Sequence, residues 1–171
     1  MAQIRFPLIA SIEKREFIAP FQEALRKTYP VLRSEQTQEV LLGPNGVIPA
    51  QKELVWRFFD KEESWRVSLA PSFIAIEAKD YGSRKVFLDR LRSILTALEE
   101  HIDPGVVDRI GLRYVDRVSG EDFSTLSKFI RPEILGIVGH PLSDSASHSL
   151  CETVFQLPLY NAVLSPRWGR I

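Results

Sequence analysis

Arg109, Arg113 and Arg117 recur at every fourth position through RIGLRYVDR. Side chains alternate along a strand, so this spacing sets all three on one face. Arg57 and Arg66 lie in earlier strand-like runs and extend the set to neighbouring strands. Guanidinium forks grip phosphate or carboxylate oxygens bidentately, which makes these five residues the candidate ligand-binding or phosphate-binding group. Gly111, between two of them, leaves room for a close approach. The same pattern also suits a solvated sheet face whose arginines pair with nearby carboxylates. Both readings stay open at this level.

Other chemistries find less support. His148-x-x-Cys151 has the spacing of a zinc-ligand pair, and His140 adds a third donor. A structural site needs about four ligands, and Cys151 is the only cysteine, so no metal or cofactor is expected. Ser143, Asp144, His148 and Cys151 are nucleophile and base types, but they crowd one Ser-rich stretch. Catalytic groups of that kind converge from separate elements. Neither a P-loop nor a G-x-G-x-x-G fingerprint is present. Glu62-Glu63 and Glu99-Glu100 read as solvated charge, and Tyr114 and Asp116 project away from the arginines. No catalytic residue is therefore expected. Trp56, Trp65, Phe58 and Phe73 suit either base stacking or a sheet core beneath a helix.

The elements that must position the arginines read as follows. Pro7 to Phe17 is expected to be a first strand. A short helix follows, with Pro20 in its first turn and Pro30 as its stop. Gln36 to Leu42 is expected as a second strand, and residues 43–50 as a loop around Pro-Asn-Gly. Leu54–Phe59, Trp65–Leu69 and Phe73–Ala78 alternate with short turns, the signature of an antiparallel meander. Phe87, Leu91, Ile94, Leu98 and Ile102 form one stripe of a long helix, with Ser83 as its N-cap. Val107 to Val118 is expected as one long strand. Ser119 to Asp122 fits a capping box opening a short helix. Beyond the polar run HPLSDSASHS, Leu150–Leu157 and Leu164–Ile171 read as strands.

The expected fold is thus α+β: an antiparallel sheet of about five to six strands, two main helices packed on one face, and a C-terminal β extension. The domain is expected over 1–139. Residues 140–171 read as linker and extension, the start of a truncated second segment. Across 171 residues, 44% are hydrophobic and 26% charged, enough for a real core. Lys+Arg and Asp+Glu balance at 22 each, which argues against a purely electrostatic nucleic-acid binder. No apolar run approaches the ~18 residues of a membrane span, so no membrane association is expected. The lone cysteine and a start unlike a signal peptide point to the cytoplasm.

The RIGLRY run at 109–114, with Pro7-Leu8, WRVSLAPSF at 65–73, Tyr81 and FIRPEILG at 129–136, resembles a sporadically distributed family of uncharacterised bacterial proteins. The resemblance covers about residues 7–136. This chain has Ser83 or Arg84 where that family often has Trp, and it stops where their second β-rich segment starts. The resemblance implies a defence-associated or toxin–antitoxin-like setting and supplies no catalytic residues. Three functions follow as expectations. The first is a non-catalytic binding or adaptor protein, with a protein partner or as a homo-oligomer. The second is a nucleic-acid or nucleotide binder using the arginine face. The third is an enzyme of unrecognised type.

Overall fold

Ala2, Ile4 and Phe6 are buried while Gln3 and Arg5 are not. This two-residue alternation makes β1, Ala2–Arg5, and Pro7 ends it. The computed structural model describes residues 1–43, 46–118, 128, 130–136, 140, 142 and 145–170, in two compact units, Met1–Tyr114 and Val115–Ile171. This division falls earlier than the 139/140 boundary read from the sequence.

The first unit is an α+β fold with a six-stranded antiparallel sheet of order β2-β3-β4-β5-β1-β6. Its remaining strands are β2 (Val31–Gly43), β3 (Gly46–Phe59), β4 (Trp65–Ala70), β5 (Phe73–Ala78) and β6 (Arg109–Leu112). Residues 7–17 are not the first strand. After β1 the chain makes a 3-10 turn at Ala10–Glu13 and enters α1, Arg15–Leu25, so Pro20 lies inside the helix rather than in its first turn. Ile18, Phe21 and Leu25 recur at helical spacing and are buried, which outweighs the interior proline. Residues 46–50, expected in a loop, belong to β3; Gly43 pairs with Gly46 in a long hairpin, and Pro44 and Asn45 lie outside the described residues. The register shifts between Gln38 and Val40, a bulge that absorbs the irregular stretch opposite Pro49. The expected long helix is present: α2 spans Arg84–His101, and Ser83 Oγ accepts from Val86 N at 3.3 Å.

Both helices pack on one sheet face. Trp56, Phe58, Trp65, Val67, Leu69, Ile74 and Ile76 meet Phe21, Phe87, Ile94 and Leu98 in one core. Trp56 Nε1 donates to the Ile12 carbonyl at 2.7 Å, so the buried indole is satisfied. Trp65 lies 5.8 Å from Phe87, and the Arg90 guanidinium covers Trp65 at 4.5 Å and Tyr29 at 5.7 Å. The aromatics of the meander are thus mainly floor for the helices, as one of the two expectations had it.

Burial pushes the Tyr29 hydroxyl above its ordinary value, partly opposed by the hydrogen bond from Arg90. In the unfolded chain Tyr29 ionises near pH 10, and in the folded chain only higher. Between these values the folded state holds more protons, so stability falls as pH rises through that window. Tyr29→Phe is expected to reduce this alkaline loss in urea titrations at pH 9 to 11. An unchanged slope would remove Tyr29 from the account.

Among its described residues the second unit, by itself, holds a short helix α3 (Pro132–Leu135) and two strand pairs. β7 (Ser149–Glu152) pairs with β10 (Arg167–Arg170), and β8 (Phe155–Leu157) with β9 (Ala162–Leu164). The expected C-terminal β extension is present, but Leu150–Leu157 is two short strands. A Cβ at Gly169 would sit 1.9 Å from the Ser149 carbonyl, so this crossing needs glycine. Arg167 contacts Glu152 at 2.9 Å and holds its carboxyl below the ordinary range. The expected capping box at Ser119–Asp122 lies outside the described residues.

Candidate interaction surface

Cross-strand partners share a face, so register assigns the arginines without ambiguity. One row runs Arg33, Arg57, Ser68, Ala75, Gln3, Gly111 across all six strands. This is the face opposite the helices. Arg66 and Glu77 lie one row away on it, and Phe73, Arg5 and Arg109 form the row on the other side. Trp56, Phe58 and Trp65 point to the helices, whereas Phe73 does not.

The five sequence-predicted residues part company here. Arg57 is only 16% exposed; its Nε contacts Glu35 at 3.0 Å and its Nη1 donates to Ser68 Oγ at 2.6 Å. Arg66 donates to Glu77 through Nε at 2.7 Å and also through Nη2. These two are internal cross-strand pairs of the sheet. Arg109 and Arg113 are exposed, and among the described residues neither has an ion-pair partner. Arg117 does not join them in a strand. The expected strand Val107–Val118 is only β6, Arg109–Leu112, and Arg117 belongs to the second unit. Arg113 still opposes Met1, with hydrogen bonds of 2.9 Å in both directions, and so keeps the alternation.

Sequence reasoning missed Arg5. It stands directly opposite Arg109, also exposed and also without an ion-pair partner among the described residues. The alternation Ala-Gln-Ile-Arg-Phe at 2–6 was the available signal. The result is a local cluster, Arg5, Arg109 and Arg113, beside Gly111 at one sheet edge.

That edge has a second property. β6 is last in the sheet, and no described strand pairs with its outer side. Met1 and Arg113 exchange hydrogen bonds, so by the antiparallel alternation Gly111 also points its backbone groups at β1. Ile110 and Leu112 therefore point their N–H and C=O groups outward. The same two residues are 66% and 57% exposed. The helix-covered core includes Ala2 and Ile4 of β1, with Phe6 just after it, and no residue of β6. Tyr114, next on that face, stacks edge-on against Tyr81 at 5.7 Å.

Elsewhere the chemistry is sparse. Cys151 is half-buried in β7, and His140 Nδ1 accepts from Leu142 N at 3.2 Å. His148 is exposed, and Ser143 and Asp144 lie outside the described residues. Among the described residues no group of three His, Cys, Asp or Glu is placed to hold a metal ion. A shallow depression of about 240 Å³ is bordered by Asp60, Glu62, Asp80 and Tyr81. Asp60 is already committed there to the Ser64 and Trp65 amides. No helix among the described residues is long and apolar enough to cross a membrane.

Comparisons with protein-family models, with curated proteins and with solved structures return no match.

Proposed function

We propose that this chain is a non-catalytic binding protein that accepts an extended strand from a protein partner along the outer edge of β6. One observation carries the reading: the residues with outward-pointing backbone groups, Ile110 and Leu112, are also the ones whose apolar side chains the helices leave uncovered. An added strand would satisfy the first and bury the second.

Leu112→Pro tests this. It removes an N–H that β1 does not use, together with the leucine side chain, and edge strands tolerate proline. The lost hydrogen bond and apolar burial together exceed about 1.4 kcal/mol, so affinity should fall at least about tenfold. An array of extended peptides would be screened with the unmodified protein, and the binders re-measured with Leu112→Pro. Val86→Ala, at an exposed position on α2, should leave them unchanged. Undiminished binding by Leu112→Pro, or no binders at all, would sink the reading.

A second reading has Arg5, Arg109 and Arg113 contacting a nucleic-acid backbone. The lack of carboxylate partners at these three favours it, and binding would then weaken steeply with salt.

A further inference from the structure

Resting on the edge-pairing reading, we infer that the strand completing β6 is acidic on one face and apolar on the other, with acidic residues four apart. Arg109, Gly111 and Arg113 alternate on the face away from the helices, and Ile110 and Leu112 on the face toward them. A strand laid beside them in register alternates in step. Its residues beside Arg109 and Arg113 then favour carboxylates, and those beside Ile110 and Leu112 favour apolar side chains. The position beside Gly111 meets no side chain and tolerates any residue. The pattern is acidic–apolar–any–apolar–acidic, and its symmetry makes it the same for parallel and antiparallel approach.

Two further observations support an acidic occupant. Arg5 and Arg109 oppose each other directly, an unfavourable like-charge pair that an added carboxylate would relieve. A second copy of this chain fits poorly. Two-fold pairing about Gly111 would match Ile110 with Leu112, but it would also set Arg109 of one copy against Arg113 of the other. In the register that matches its apolar residues, the edge is thus charged so as to disfavour self-pairing.

The test is an amide-resolved NMR titration of the full chain with two dodecapeptides. One carries a central glutamate–valine–threonine–valine–glutamate, and the other replaces both glutamates with lysine. The acidic peptide should shift the Ile110 and Leu112 amides and bind about tenfold tighter at low salt, the gap narrowing at high salt. Arg109→Glu with Arg113→Glu should reverse the preference, and the milder Arg109→Gln with Arg113→Gln should erase it while keeping the wild-type spectrum elsewhere. Equal binding of both peptides at those amides overturns the acidic pattern and leaves the edge reading standing. No shift at those amides with either peptide overturns both. A single-stranded oligonucleotide that binds at Arg5, Arg109 and Arg113 where the acidic peptide does not would make the cluster a nucleic-acid site and overturn the proposal.

Discussion

Phe58→Ala is expected to destabilise the first unit by about 3–5 kcal/mol, the largest single effect on its stability. Phe58 is fully buried near the C-terminal end of β3, with Leu32 and Val67 as its cross-strand neighbours. Its ring meets Phe21 of α1 edge-on at 5.5 Å, so it fastens sheet to helix. Truncation removes the ring from both partners and leaves a cavity that neither backbone is free to close. Domains of this size have about 5–15 kcal/mol of stability in all, so the variant should stand near the edge of folding. The control is Phe73→Ala. Phe73 is half-buried on the opposite face and outside the helix-covered core. Its loss should cost about 1–2 kcal/mol. Urea unfolding followed by tryptophan fluorescence measures both. Equal losses would mean that the helices do not cover only one face.

That contrast marks where sequence reading stops. Period-two alternation identified β4 and β5, and the apolar stripe with Ser83 identified α2, because these signals are local. The N-terminal segment was harder. Pro7-Leu8-Ile9-Ala10 is apolar enough to suggest a strand, whereas the strand is the shorter AQIR before it. β1 is then inserted between β5 and β6, pairing Arg5 with Phe73 and with Arg109 far along the chain, and no local spacing announces it. Arg5 entered the candidate site by that insertion. Arg57 and Arg66 left it because Glu35, Ser68 and Glu77 come alongside only once strands pair. Arg117 left it because β6 stops at Leu112. The alternation of RIGLR was legible throughout. That Ile110 and Leu112 lie beyond the reach of the helices was not, since it depends on sheet order and on where α1 and α2 sit.

Asp60→Ala is the second large effect, expected at about 2–4 kcal/mol. Asp60 is 6% exposed and closes the β3–β4 turn. Its Oδ1 accepts from Ser64 N at 2.8 Å and from Trp65 N at 3.0 Å. Its backbone N–H donates to the Trp65 carbonyl at 3.2 Å, and its own carbonyl accepts from Glu63 N at 3.2 Å. Glu63 adopts φ 52, a left-handed conformation that a glutamate takes only when its surroundings hold it there. Alanine would leave two turn amides without acceptors and release that hold. Trp65, which carries both Phe87 and Arg90, begins at this turn, so the damage should reach the α2 interface. Asp60→Asn retains an acceptor oxygen at the same place and should cost less than about half as much. If asparagine proves as damaging as alanine, the carboxylate's charge rather than its hydrogen-bond geometry holds the turn. If alanine costs under about 1 kcal/mol, the left-handed Glu63 is held instead by the strand register and by the ion pair of its carboxylate with Arg33.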